Sequence, residues 1–282
     1  MADKVAVITG SSSGFGLLTS MELAKAGFQV VATMRNLGRR GDLDQAAKAA
    51  GIHGKIDVRA LDVTAFDAMP AFVEDVVRDY KRIDVLVNNA GFAVGGFAED
   101  ISLDELRLQF ETNFFGTVAM TKAVLPVMRK QGSGHIIQVS SIGGLQGAIS
   151  VSSYSASKHA LEGWSESLRL EVNALGIKVV LVEPGAFDTG VWTRGAVMGK
   201  EAIKSSSPNF QRSLRMRSVI QKIPRADPIA VARVIAEIAQ DPSPKLRYLV
   251  GRDAKIQLAM KRLLPWKWQE RIIANYLKID KS

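Results

Sequence analysis

Val5-Ala6-Val7-Ile8-Thr9-Gly10-Ser11-Ser12-Ser13-Gly14-Phe15-Gly16 is the stretch that decides the fold. Val5 to Ile8 is a short apolar run suited to a strand buried on both faces, as in a parallel sheet. Leu17, Met21 and Ala24 then recur at helical spacing. Between them lies a turn rich in glycine and serine. Strand, glycine turn and helix form the setting in which a diphosphate can approach backbone N–H groups and a helix N-terminus. The glycines are spaced G-x-x-x-G-x-G rather than G-x-G-x-x-G, so an ordinary tight turn between strand and helix is the alternative.

Working outward, short apolar runs alternate with helical patterns along the chain. This predicts repeated βα units and one parallel sheet. The expected strands are 4–9, 28–34, 56–61, 83–87, 134–140, 177–183 and 246–250. Helices are expected over 15–26, 42–50, 66–80, 103–130, 153–174 and 227–240. Gly27 and Gly176 follow helices and precede strands, as helix-terminating glycines do. Leu161, Trp164 and Leu168 fall at i, i+3 and i+7, a stripe for a core or a subunit interface.

A second informative stretch is Tyr154-Ser155-Ala156-Ser157-Lys158. On a helix it puts a tyrosine and a lysine on one face, one turn apart. A tyrosine titrating near ~10 is a poor acid–base group at neutrality. A neighbouring ammonium favours the phenolate and is expected to draw that value down. Ser141 lies upstream, in Val139-Ser140-Ser141.

The chain resembles the short-chain dehydrogenase/reductase family. The resemblance rests on Thr9-Gly10-x-x-x-Gly14-x-Gly16, Asp62-Val63, Asn88-Asn89-Ala90-Gly91, Asn113, Ser141, Tyr154-x-x-x-Lys158, and Pro184-Gly185 followed by Thr189. These pieces run from Thr9 to Thr189 in the family's order. Val31 to Asn36 and Ser141 to Leu145 also look like the 17β-hydroxysteroid and retinol dehydrogenase branch. The resemblance implies an α/β fold: a single Rossmann-like, doubly wound domain over 1–252 with a seven-stranded parallel sheet. A substrate loop at about 186–226 and a C-terminal helical extension over 253–282 complete the expected layout.

The resemblance also implies roles. Tyr154 would be the general acid/base, Lys158 would lower its pKa and bond the nicotinamide ribose, and Ser141 would steady the substrate oxygen. Asn113 would hold a water between Lys158 and solvent. As alternatives, Ser141 could cap a turn and Asn113 could satisfy helix backbone. Gly10, Gly14 and Gly16 would shape the phosphate turn, with Ser12, Ser13 and Phe15 as donors. Asp62 and Val63 would meet adenine; Asn89, Ala90 and Gly91 would line the adenosine ribose; Pro184, Gly185 and Thr189 would hold the nicotinamide end. NAD-binding members carry an acidic residue at the end of the second strand, where this chain has Met34 and then Arg35. An arginine there can grip a 2′-phosphate, so NADP(H) is the expected cofactor. The alternative is a solvated charge. Leu145, Phe187, Val191 and Trp192 are the expected substrate contacts, with Val197 and Met198 also on the loop. The substrate is expected to be a sizeable apolar ketone or alcohol.

Composition sets the remaining limits. At 282 residues the chain suits one large domain. Cysteine is absent, so disulfide and thiolate chemistry are excluded. His53, His135 and His159 form no ligand pattern, and no metal is expected. Neither a signal-peptide core nor a bilayer-length apolar run is present, so the chain reads as soluble and cytoplasmic. Residues 1–190 carry 18 Lys+Arg against 21 Asp+Glu, whereas residues 191–282 carry 19 against 7. The excess of positive charge therefore belongs entirely to the last third. It suits a membrane surface, an acidic protein or an anionic substrate, or is simply a solvated face. No nucleic-acid motif accompanies it.

Within the tail, Ile256, Met260, Leu263 and Leu264 form one apolar stripe and Ile272, Ile273, Tyr276 and Leu277 another. Pro265 lies between them, with Trp266 and Trp268 among cations. Such a tail either packs on its own domain or lies at a membrane interface. The helices at 103–130 and 153–174 correspond to those that pair across subunits in relatives. This implies a homodimer, with a tetramer left open. Three activities remain: reduction or oxidation of an apolar ketone or alcohol, reduction of a 3-oxoacyl group on an acyl carrier protein, and non-catalytic sensing of NADP(H).

Overall fold

The computed structural model describes residues 3–189 and 196–277, with backbone alone at 196, 276 and 277. The first strand, β1 (Val5–Ile8), runs through the glycine turn into α1 (Gly14–Lys25). Then follow β2 (Gln29–Met34), α2 (Gly41–Ala49), β3 (Ile56–Ala60), α3 (Met69–Tyr80) and β4 (Val85–Asn88). A short β5 (Ala93–Gly95) precedes α4 (Leu103–Phe110), α5 (Gly116–Gln131), β6 (Gly134–Val139), α6 (Ser152–Val172) and β7 (Ile177–Pro184). The chain continues through β8 (Ala196–Met198), α7 (Phe210–Lys222), α8 (Ile229–Ile238), β9 (Arg247–Val250), α9 (Arg252–Leu263) and α10 (Trp266–Leu277).

Seven strands form one parallel sheet in the order β3-β2-β1-β4-β6-β7-β9, as expected. Alternate side chains of each strand enter two separate cores, because both sheet faces are covered. Ala6 and Ile8 pack with Leu23 of α1, Leu43 of α2 and Ile235 of α8. Val5 and Val7 pack on the other face with Val73 of α3, Val124 of α5 and Leu168 of α6. The order reverses direction between β1 and β4. A crevice opens there at the carboxyl ends of the strands, where open α/β sheets bind ligands.

Three segments differ from expectation. The single helix expected over 103–130 is two helices joined by a π-helical turn, Glu111–Phe115. Asn113 sits in that turn, and such wide turns are common beside functional sites. The glycine-rich loop after β4 contains β5, which pairs in parallel with β8 to form a second, two-stranded sheet. The substrate segment is also not one long loop, since it holds α7. Elsewhere the expected ends shift by a few residues, the ordinary spread at frayed termini.

The tail forms a helical hairpin, broken at Pro265 as its pattern predicts. Its inner side is anchored to the domain. Ala254 is wholly buried, and Asp253 accepts a hydrogen bond from the Ala186 N–H at 2.7 Å. Gln269 is buried and donates to the carbonyls of Lys261 (3.3 Å) and Leu264 (2.8 Å), closing α10 onto α9. Among the described residues, no helix is long and apolar enough to cross a membrane.

Candidate active site

The crevice is a cleft of about 670 Å³, within the range of cofactor-sized sites. Its floor is the turn after β1. Gly10 has φ +72°, and a Cβ there would lie 2.8 Å from the Ala90 Cα, so the two crevice walls meet only because Gly10 has no side chain. The Thr9 hydroxyl accepts from the N–H groups of Asn89 and Ala90, both at 3.0 Å. Asn89 Nδ2 donates back to the carbonyls of Thr9 and Gly10. These bonds fix β1 against β4 at the mouth of the cleft.

Gly10, Ser12, Ser13, Gly14 and Phe15 all line the cleft. Gly16 does not. A Cβ at Gly16 would lie 2.3 Å from the Gly10 carbonyl oxygen and 2.5 Å from Asn89 Nδ2, so this glycine serves close packing of α1 on the turn. Ser13 caps α1 without a side-chain bond, and the first turn carries no acid. Its N–H groups and positive dipole end are therefore suited to an anion.

At the end of β2, Met34 and Arg35 line the cleft, together with Asn36 and Arg39. Arg39 was not legible as a site residue from the sequence. The signal was a second basic residue four positions after Arg35, brought round by the short 3₁₀ turn Leu37–Arg39, whose start Asn36 caps by accepting from Gly38 N–H at 2.8 Å. Asp62 and Val63 form the facing wall. The Asp62 carboxylate is occupied by Thr64, accepting from its N–H at 3.0 Å and its hydroxyl at 2.8 Å. Asn89, Ala90 and Gly91 line the cleft beyond, as expected.

The inner end of the cleft holds Tyr154 and Lys158, one turn apart at the start of α6. Ser141 lies opposite; its hydroxyl accepts from Gly143 N–H at 3.0 Å and is hydrogen bonded with the Tyr154 phenol. Ser141 thus both caps the 3₁₀ turn Ile142–Gly144 and touches the tyrosine. Tyr154, Ser141, Pro184, Gly185, Phe187 and Thr189 enclose a smaller recess of about 40 Å³. Phe187 is buried there, edge-on to Phe15 with ring centroids 5.7 Å apart. The Asp253 carboxylate crowds Gly185, where a Cβ would come within 2.3 Å, so the tail braces this turn from behind.

Burial pushes the Tyr154 pKa above its ordinary value, and the Ser141 bond opposes the rise. This corrects the expectation that Lys158 would draw it down. The Lys158 ammonium is 5.9 Å from the Tyr154 ring centroid and donates to the Val139 carbonyl at 2.8 Å. Desolvation lowers the Lys158 pKa to about 8, against the pull of Glu162 one turn further on.

Asn113 is tied to its surroundings through its side chain. Its side chain is buried, accepts from Phe92 N–H at 3.1 Å, and donates to the Phe92 carbonyl at 3.0 Å and the Ser157 hydroxyl at 3.2 Å. Its amide is committed to the loop after β4 and to α6. It braces those elements against each other.

Leu145 lies away from the cleft lining, half-buried, with its carbonyl accepting from Lys261 of α9. Val191 and Trp192 lie outside the described residues. Among the described residues no cluster of metal-ligating side chains is present.

Behind Lys158 lies a group that sequence reading missed. Glu162 of α6 and Glu183 of β7 are both buried, and Arg247 of β9 reaches both. Its Nη2 donates to Glu162 at 3.1 Å and Glu166 at 2.6 Å, and its Nε lies 3.0 Å from a Glu183 oxygen. Burial, reinforced by the Glu162 charge, pushes the Glu183 carboxyl up to about 8, although Arg247 opposes this.

The chain thus combines a parallel doubly wound sheet, a cleft at its switch point and a tyrosine–lysine–serine group at the inner end of that cleft. The chain matches the short chain dehydrogenase family over residues 4–196, and it belongs to that family. It is 42% identical over 280 residues to the uncharacterized oxidoreductase YusZ of Bacillus subtilis, covering 98% of this chain and 99% of that one. It is 38% identical to a 3-ketodihydrosphingosine reductase of Bacteroides thetaiotaomicron, covering 89% of each chain. Human retinol dehydrogenase 8 is 43% identical over 187 residues, covering 65% of this chain and 59% of that protein, in line with the branch expected from Val31–Asn36 and Ser141–Leu145. Among solved structures, a short-chain dehydrogenase from Streptomyces avermitilis superposes with a TM-score of 0.79 at 34% identity, covering 96% of this chain and 98% of that one. A metagenomic short-chain oxidoreductase in complex with NADP gives a TM-score of 0.70 at 27% identity, covering 89% of this chain and 97% of that one.

Proposed function

We propose that this chain is an NADP(H)-dependent carbonyl reductase or secondary-alcohol dehydrogenase for a sizeable apolar substrate. Tyr154 acts as its general acid/base. The observation that carries the reading is the bond between Ser141 and the half-buried Tyr154 phenol, with Lys158 one helical turn away, at the inner end of the cleft. A carbonyl oxygen seated between Ser141 and Tyr154 accepts one hydrogen bond from each. As charge develops on that oxygen, Tyr154 delivers its proton; in the oxidative direction it takes the proton back. A bound nicotinamide supplies or receives the hydride.

The donor set of the cleft fits such a cofactor. The uncapped N-terminus of α1 with Ser12, Ser13 and Phe15 suits a diphosphate, and Asp62 and Val63 suit the adenine side. Asn89, Ala90 and Gly91 would line the adenosine ribose; Pro184, Gly185 and Thr189 would bound the nicotinamide. Arg35 and Arg39 together at the end of β2 favour a 2′-phosphate, and the NADP complex of the metagenomic relative supports the same choice. Arg35→Ala is expected to weaken NADPH by about 2 kcal/mol, ~30-fold, and to leave NADH nearly unchanged. Equal changes in KM for the two cofactors would show Arg35 to be a solvated charge.

The relatives named for 3-ketodihydrosphingosine and retinol support a lipophilic ketone or alcohol over a small polar one. NADPH oxidation measured across a panel of aliphatic, steroid and retinoid ketones and aldehydes tests this, and no turnover on any of them would favour a sensing protein. We also read the chain as a cytoplasmic homodimer. Leu103, Leu108, Phe115 and Leu170, on α4, the π-helical turn and α6, expose large apolar side chains where subunits would pair, Leu170 being 84% exposed. Sedimentation at micromolar concentration is expected to give a dimer that Leu170→Glu weakens; a wild-type monomer would contradict it.

A further inference from the structure

We propose that the exposed apolar side chains of the α9–α10 tail dock on an anionic phospholipid surface, holding the rim of the proposed active site against the bilayer. The inner side of the hairpin is accounted for by Asp253, Ala254 and Gln269. Five large apolar side chains of the two helices are not. Ile256, Leu263, Trp266, Trp268 and Ile272 are exposed, Leu263 by 80% and the two tryptophans by 59% and 56%. Two tryptophans amid aliphatic side chains have the composition of a segment that settles at the boundary of headgroups and acyl chains.

The charge around this face selects the lipid. Arg252, Lys255, Lys261, Arg262, Lys267 and Arg271 lie within the hairpin, against only two acids. Neither acid opposes an anionic surface freely. Asp253 is turned inward onto the Ala186 N–H, and Glu270 accepts from Trp266 Nε1 at 2.8 Å. Cations around exposed tryptophans on a short amphipathic hairpin match a negatively charged leaflet, where basic side chains are attracted within a Debye length. A second copy of this chain would bring the same cations against themselves.

The anchoring fixes what would come to the membrane. Lys261 donates to the Leu145 carbonyl, and α9 packs on the turn Ile142–Gly144 that carries Ser141 at its start. Docking through the hairpin therefore sets this rim beside the lipid, a position suited to a substrate dissolved in the acyl chains.

The test uses the full-length protein and reads no catalysis, so it stands apart from the proposed activity. Sedimentation with phosphatidylcholine vesicles containing phosphatidylserine at low salt is expected to carry the protein down. Pure phosphatidylcholine, or about 1 M salt, should release most of it, since screening then acts over ~3 Å. Trp266→Ala/Trp268→Ala is expected to lower partitioning about tenfold or more, as loss of the interfacial anchors predicts. Both side chains are exposed, so an unchanged melting temperature would certify the fold of that variant. Lys267→Glu/Arg271→Glu should abolish binding to the anionic vesicles. Absence of binding, equal binding to the neutral vesicles, or undiminished binding by both variants would overturn the proposal. So would a lipid-free oligomer that the tryptophan variant dissolves, which would assign the face to a second copy.

Discussion

Tyr154→Phe is expected to lower kcat by ~10²–10⁴-fold, the ordinary worth of a positioned proton donor, while leaving NADPH affinity and melting temperature close to wild type. The substitution keeps the half-buried ring and removes only the hydroxyl bonded with Ser141. Because burial holds the phenol above its ordinary pKa, it carries its proton throughout the neutral range. Ketone reduction should then depend little on pH near neutrality. Alcohol oxidation, which needs the phenolate, should climb as the solution becomes alkaline. Steady-state rates in both directions, with cofactor binding measured by fluorescence, check both statements. A near-normal kcat, or oxidation that falls with rising pH in the wild type, would remove Tyr154 from the role proposed for it.

Arg247→Leu is the second substitution with a large expected effect, and here the readout is stability. It would leave Glu162 and Glu183 buried side by side without their cation. Breaking a buried ion pair typically costs ~3–5 kcal/mol. Arg247 is itself part-exposed, so about 2–3 kcal/mol at pH 8 is the better expectation, allowing for solvent screening. The pH dependence has a definite sign. Glu183 titrates at about 8 in the fold, above the ordinary carboxyl value, so the folded protein binds a proton that the unfolded chain gives up. That contribution is complete below the unfolded value of ~4.3 and is lost as pH rises toward 8. Wild-type stability should therefore decline across this window. In Arg247→Leu the decline should run on above pH 8, because the charge that lowers the Glu183 pKa is gone. Urea denaturation at pH 5 and pH 8 measures both slopes, and equal losses at the two pH values would mean that the carboxylates ionise independently.

Much of this fold is legible in local sequence because its strands are buried on both faces. Val5–Ile8 and Val179–Val182 read as continuous apolar runs, and the glycine turn between β1 and α1 marks the crevice. Tyr154 and Lys158 are equally plain, since helical geometry alone puts them on one face. What escaped is what depends on partners distant in the chain. A three-residue strand such as Ala93–Gly95 has no period to detect, and it exists through pairing with Ala196–Met198. The π-helical turn at Asn113 leaves the apolar spacing of its flanking helices almost undisturbed, so the segment reads as one helix. Glu162, Glu183 and Arg247 each look like surface charges until the sheet brings α6, β7 and β9 together. Arg39 became a cleft residue only through the 3₁₀ turn that carries it back toward Arg35.

The position of β9 also bears on how the chain is made. Among the described residues it is the last strand in chain order, and it completes the sheet against β7. A nascent chain that ends before it presents β7 as an open edge, with Glu162 and Glu183 still lacking Arg247. Open apolar edges invite pairing with other chains, and uncompensated buried charge resists closure. Emergence of β9, rather than completion of the half that carries the proposed nucleotide site, is then expected to commit the newly synthesised protein to its native state. A premature stop just ahead of β9 would yield a product destined for proteolysis or aggregation even though every proposed catalytic residue had already been translated.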